Sequence, residues 1–307
     1  MMRGLTLSVL AAAWLVACAT PLPTPSARQQ HADMLTAARG WQTVHLQAGR
    51  FELVARTPPP LPPRERLTVY IEGDGLAWLS RRMPSSDPTP RDPVALALAL
   101  AQPDGHAVHL ARPCQYVDAA QSGCPRRYWT DARFAAEAVD AIDQAIDQLK
   151  LRHGARTLVL VGYSGGGAMA ALVAARRDDV ARLITVAGNL DHAAWTAHHR
   201  LTPLAASLDA AAVADRLRDL PQLHLVGGRD LTLPRALPER WPAGFIGARG
   251  EHLHVIESFD HRCCWAAHWP DLYAAADDSA ALRRVLTGLQ PAQAAVDQER
   301  MLSSGDD

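Results

Sequence analysis

The sequence predicts an α/β fold: a mostly parallel central sheet with helices on both faces, preceded by an antiparallel hairpin. Three observations carry this prediction. Short β-rich apolar runs such as "LTVYIEGDG" (residues 67–75) and "RTLVLVG" (156–162) end in glycine, as parallel strands buried on both faces do. Apolar helical segments separate these runs, so strand and helix alternate along the chain. No internal repeat or second linker interrupts the alternation, so the 307 residues hold one domain, expected over residues 41–289.

The elements follow in order. Residues 1–17 read as a leader: a short basic start, then an apolar run too short to span a bilayer. It closes on "LVAC" (15–18), which resembles the bacterial lipobox. Cys18 is therefore the expected lipidation site, and Ala19 after it, in place of aspartate, favours the outer membrane. The expected location is thus the cell envelope, held to the membrane by an N-terminal lipid. Residues 18–40, with "ATPLPTPSA" at 19–27, read as a Pro-rich tether. "WQTVHLQAGRFELVAR" (41–56) alternates with period two around Ala48-Gly49 and predicts the hairpin. "TPPPLPPRER" (57–66) is a turn or edge crossing.

The parallel part begins with 67–75, followed by a helix in "DPVALALALA" (92–101) and a strand in "HAVHLARP" (106–113). A long helix is predicted over 131–153, where Phe134, Val139, Ile142, Ile146 and Leu149 recur at helical spacing. Strand 156–162 leads into helix 166–177, and strand 180–188 into a more polar stretch, 189–220, that reads as a small cap. "PQLHLVGG" (221–228) and "LHVIESF" (253–259) are the last strands, and 270–289 the last helix. Residues 290–307 lack an apolar period and read as a disordered tail.

Composition limits the functional classes. With 48% hydrophobic and 21% charged residues and a formal net charge of −1, the chain offers no basic field for nucleic acid. Export would place Cys114, Cys124, Cys263 and Cys264 in an oxidising compartment. Four cysteines allow three pairings. The simplest joins Cys114 to Cys124 across a short loop, which leaves Cys263 and Cys264 as a vicinal disulfide or as free thiols; cross-pairing with the first two is the third option. Adjacent cysteines fit poorly on one tetrahedral ion, so "FDHRCCW" is not read as a metal site and no cofactor is expected.

In doubly covered parallel sheets, ligands bind at the carboxyl ends of the strands. Four such ends carry chemistry. In "GYSGG" (162–166), glycines two before and two after Ser164 permit a sharp strand-to-helix turn that exposes the hydroxyl at a helix N-terminus. It is not a phosphate loop, for no lysine is present there. "VGGRD" ends on Asp230, suited to orient an imidazole, and His261 follows the last strand; Asp191, and His254 or His268, are the competitors for these two places. The order Ser164, Asp230, His261, each after a later strand, is that of a hydrolase triad. At the fourth end, "IEGDG", a second oxyanion amide is expected from Asp74, with Gly75 next, to act beside the amide of Gly165. The Asp74 carboxylate should then point away or be neutralised.

On these residues the chain resembles the α/β-hydrolase superfamily. It is similar, more narrowly, to a group of bacterial exported, lipoprotein-type serine hydrolases of unassigned substrate. "YIEGDGLAW" (70–78), "ARPCQYV" (111–117), "YWTDARF" (128–134), "GYSGGG" and "DHRCCW" carry the narrower likeness. The resemblance implies an α/β-hydrolase fold, with Ser164 as nucleophile, Asp230 as acid and His261 as base. It implies a small-molecule acyl substrate such as an ester or thioester. Glu72 stands where a common esterase loop carries histidine. The alternatives are an acyltransferase using the same triad, or a catalytically silent binding lipoprotein of the envelope.

Overall fold

The computed structural model describes residues 22–62, 64–119, 122 and 124–290. The leader, Cys18 and the tail beyond residue 290 lie outside the described residues. The chain runs α1 (Pro25–Ala37), β1 (Gln42–Ala48), β2 (Phe51–Thr57), β3 (Arg66–Ile71), α2 (Val94–Ala101), β4 (Ala107–Leu110), α3 (Ala136–His153), β5 (Thr157–Tyr163) and α4 (Gly165–Ala174). It continues through β6 (Val180–Val186), α5 (His192–His199), β7 (Gln222–Gly227), α6 (Ala243–Ile246), β8 (Leu253–Ile256), α7 (Trp265–Ala274) and α8 (Ser279–Leu289).

Among the described residues the strands form one sheet of eight, in the order β1-β2-β4-β3-β5-β6-β7-β8. β1 pairs antiparallel with β2 and β2 with β4, while β3 to β8 run parallel. The predicted hairpin is present and turns at Gly49, whose φ is +57°. Because neighbouring residues of a strand point to opposite faces, two apolar layers result. Leu67, Val69, Ile71, Leu158 and Leu160 face α3 and α4; Tyr70, Val159 and Val161 face α2, α7 and α8.

Several elements differ from the sequence reading. The stretch expected as a tether contains α1, capped by the Thr24 hydroxyl, which accepts from Ala27 N at 3.2 Å. Its polar composition concealed it, because its anchors are charged. Arg28 is buried against Asp87 at 3.3 Å and also donates to the Thr89 carbonyl, while Asp33 pairs with the buried Arg56 of β2 at 2.9 Å. The helix expected from residue 131 begins at Ala136, because the five residues before it turn to carry Arg133 and Phe134 inward. The last helix is two, α7 and α8, with Asp278 capping the second through the N–H groups of Ala280 and Ala281.

The expected cap supplies α5 and a 3₁₀ segment, Ala210–Leu217. Ala210, Ala214 and Leu217 are buried in the same layer as α4, so that segment completes the core. Both disulfide questions have an answer: Cys114 is joined to Cys124, and Cys263 to Cys264.

Candidate active site

β5 ends in a turn tight enough to force Ser164 to φ +53° and ψ −122°, a conformation that L-residues rarely adopt. Glycines make this possible. A Cβ on Gly162 would lie 2.3 Å from the Gly166 carbonyl oxygen, and one on Gly166 only 2.2 Å from that of Ile71. The hydroxyl of Ser164 is thereby held above the carboxyl edge of the sheet, where α4 begins.

Two later loops meet it. His261 Nε2 lies 3.0 Å from Ser164 Oγ, and His261 Nδ1 lies 2.7 Å from Asp230 Oδ2. An ionised carboxylate only accepts, so Nδ1 carries the proton and Nε2 accepts from the serine hydroxyl. Asp230 is buried, and its other oxygen, Oδ1, accepts from Thr232 N at 2.8 Å and Leu233 N at 2.7 Å. The acid is thus fixed in rotation as well as position. The His261 backbone is fixed too: its carbonyl accepts from the Tyr163 hydroxyl at 3.1 Å and from Trp265 Nε1 at 3.3 Å. Burial pushes the Tyr163 phenol far above its ordinary value, which keeps it a donor.

The competitors are occupied elsewhere. Asp191 caps α5, accepting from Ala194 N at 2.7 Å, and His268 packs on the ring of Phe259. His254 sits within β8.

The loop after β3 faces the serine from the other side. A Cβ on Gly73 would be 3.3 Å from Ser164 Cβ, and one on Gly165 would be 2.1 Å from Asp74 Oδ1. Several polar groups that shape this loop are held. Glu72 Oε1 accepts from Gly73 N at 3.0 Å and Ala95 N at 3.4 Å, and Glu72 Oε2 meets His109 Nε2 at 3.1 Å. Gln115 Nε2 donates to the Gly73 carbonyl at 2.8 Å, and Leu76 N donates to the Pro88 carbonyl at 3.0 Å. Gly75 has φ +64°, and a Cβ there would lie 1.9 Å from that same Pro88 oxygen.

The Asp74 carboxylate is neutralised twice, by Arg112 at 3.1 Å and Arg133 at 2.5 Å. Burial by itself would raise its pKa, but the charges of Arg133 and Arg112 hold it below the ordinary carboxylate range. Among the described residues, the N–H groups of Asp74, Gly75 and Gly165 have no main-chain or side-chain acceptor.

Sequence reasoning missed the residues that support this loop: Arg112, Gln115, Arg133 and Tyr163. Nothing in their local pattern marks them. The first three lie in "ARPCQYV" and "YWTDARF", polar stretches between core elements, and all three are buried. Together these loops enclose a cavity of about 310 Å³ bordered by Ser164 and His261 on one side and by Trp78, Trp195 and Leu233 on another.

No protein-family profile matches this chain, and no curated protein matches it. Solved structures do. An esterase of Pyrococcus furiosus superposes with a TM-score of 0.53 at 10% identity, covering 83% of this chain and 93% of that one. The esterase domain of a Rhodothermus marinus protein gives 0.51 at 14% identity, over 77% and 98% of the two chains. A puromycin hydrolase gives 0.52 at 15% identity, over 80% of this chain and 39% of its own. At such identities the likeness is one of fold: this chain has the α/β-hydrolase fold.

Proposed function

We propose that the protein is a serine hydrolase that cleaves an ester, thioester or related acyl substrate through an acyl-enzyme on Ser164. One observation carries this reading: the unbroken chain from Ser164 Oγ through His261 to Asp230, at 3.0 and 2.7 Å, with Asp230 itself pinned by two amides. In the forward step the Ser164 hydroxyl attacks the carbonyl carbon and His261 Nε2 takes its proton. Asp230 keeps Nδ1–H directed inward and stabilises the imidazolium. The carbonyl oxygen becomes an oxyanion, which the N–H groups of Gly165 and Asp74 receive, with Gly75 next to them. As the tetrahedral intermediate collapses, His261 returns the proton to the leaving group. Water then attacks the acyl-enzyme by the same route.

The Asp74 carboxylate would oppose a neighbouring oxyanion if it were bare. Two guanidiniums on one carboxylate leave a net positive charge there, which favours the anion instead. A fluorophosphonate probe should label the purified, oxidised protein, and Ser164→Ala should abolish the labelling. A folded protein that resists the probe would overturn the assignment. From the lipobox likeness at residues 15–18, independently of the triad, we further propose that the protein is held on the envelope through acylated Cys18. Fatty-acid labelling that persists in Cys18→Ala would refute that part alone.

A further inference from the structure

Exposed apolar side chains are unevenly spread over this protein. Among the described residues nine large ones are exposed, and four of them, Trp78, Leu79, Met83 and Leu231, fall in two short segments beside the cavity mouth. Residues 78–84 form a tight hairpin, in which Leu79 N donates to the Met83 carbonyl at 2.8 Å and Trp78 pairs with Pro84 as an isolated β-bridge. Trp78, Thr232 and Leu233 border the cavity, while their neighbours Leu79 and Leu231 stand outside it, Leu231 at 85% exposure. The end of α5 joins the two segments. Arg81 donates to the carbonyls of His199 and Arg200 at 2.9 and 3.3 Å. Trp195 Nε1 and His199 Nε2 both meet the Thr232 carbonyl, at 2.7 and 2.9 Å. The apolar tips therefore share one rim.

The rim is also cationic. Arg81, Arg82 and Arg200 are exposed on it, and none has an acidic partner among the described residues. No acidic residue occurs in 78–84, 195–200 or 231–233, and Asp92, which borders the cavity, is paired with Arg262 at 3.2 Å. A protein partner would normally add about ten direct hydrogen bonds. Here Arg81, Trp195 and His199 are already engaged with main-chain carbonyls, which leaves apolar tips and positive charge. Leucine, methionine and tryptophan set among arginines suit a bilayer interface. The apolar groups enter the acyl boundary while the guanidiniums stay with anionic headgroups. The chain also enters the domain through α1, whose Pro25 and Ser26 border one cleft with Ser86 and Asp87, just past the hairpin. A lipid on Cys18 would thus be tethered close to the rim.

We propose that this rim is a docking surface for an anionic lipid bilayer, which turns the mouth of the cavity towards the lipid. Apolar insertion and charge attraction both contribute, so binding should weaken as salt rises. Docking is independent of the triad. Ser164→Ala should bind lipid as the wild type does, and failure of the hydrolase reading would leave the docking surface standing.

Vesicle co-sedimentation tests it with the chain from Ala19 onward. That chain keeps every described residue and lacks the leader and Cys18, whose own lipid affinity would mask the rim. Folding of each protein is checked by circular dichroism. Partition onto phosphatidylglycerol vesicles should exceed that onto phosphatidylcholine vesicles by about tenfold or more, and fall with added salt. Leu79→Ser combined with Leu231→Ser should weaken it about tenfold or more, and Arg82→Gln about fivefold. Leu151→Ser is the control. Leu151, 84% exposed, lies at the end of α3 beside the start of β5, on the opposite edge of the sheet, and its loss should leave binding unchanged. Failure to bind phosphatidylglycerol vesicles, equal binding to both lipids, or rim substitutions no more harmful than the control overturn the inference. So does a dimer in sedimentation equilibrium that the double substitution dissolves, which would make the rim a contact between copies of this chain.

Discussion

Asp74 joins two requirements in a single residue: its N–H, which has no acceptor among the described residues, is the proposed oxyanion donor, and its carboxylate is where Arg112 and Arg133 converge. Asp74→Ala would leave two buried guanidiniums facing each other, and should lower unfolding free energy by about 3 kcal/mol in urea titrations. Asp74→Asn keeps the shape and removes the charge. Because the folded-state pKa of Asp74 is depressed, its ionised form contributes stability above the unfolded value of about 4, and this is lost as pH falls further. The gap between wild type and Asp74→Asn should therefore be open at pH 7 and narrow below about pH 4. The proposed triad makes a kinetic demand at the same scale. Asp230→Asn preserves the packing but turns a pure acceptor into a group that also donates, and should lower kcat about 10⁴-fold in ester hydrolysis.

The elbow between β5 and α4 depends on close approach to β3. A methyl group on Gly166 would press on the carbonyl oxygens of Ile71 and Glu72 at 2.2 and 2.6 Å, and both are backbone atoms that no rotamer change can move. Gly166→Ala should thus cost about 2–3 kcal/mol of stability by urea unfolding. It should also reduce fluorophosphonate labelling, since the strand that must give way carries the loop of Gly73 and Asp74. Helix α1 is the other informative element. Through Arg28 it holds the Asp87–Thr89 backbone, and Pro88 in that stretch accepts from Leu76 just beyond Gly75. A chain starting at Gly40 loses the Arg28–Asp87 and Asp33–Arg56 pairs together. It should unfold at lower urea and show a raised KM.

Across the whole molecule, buried histidines tie stability to pH. Burial holds the His224 imidazole down to about 3, within contact of Thr185 and Gln222, and burial lowers His109 beside Glu72 as well. Between about pH 6.5 and 3 the unfolded chain binds a proton at His224 that the folded chain refuses. Stability therefore rises with pH in that interval and is lost on acidification, by about 1.4 kcal/mol per pH unit for one such group. His224→Gln should flatten the slope of unfolding free energy against pH there by about one proton.

The alternation of buried strands and helices, the hairpin at Gly49 and the order Ser164, Asp230, His261 were legible in the chain, because each depends on local periodicity or on spacing between neighbouring elements. The amide of Asp74 was expected by the same logic, from the turn that follows a strand end. What supports these groups was not legible. α1 hid behind charged anchors that have no apolar period, and the turn ahead of α3 looked helical until Phe134 and Arg133 were seen to point inward. Arg112, Gln115 and Arg133 are 38, 42 and 59 residues from the atoms they hold. The sequence by itself determined the sheet and singled out the three side chains of the proposed triad, which follow from patterns within an element and at its end. Only the tertiary structure decided the setting of the Asp74 loop, the pairing of Cys263 with Cys264 and the meeting of Leu79 and Leu231 on one rim. Those depend on which distant polar groups meet when the apolar layers close, and no local pattern encodes that.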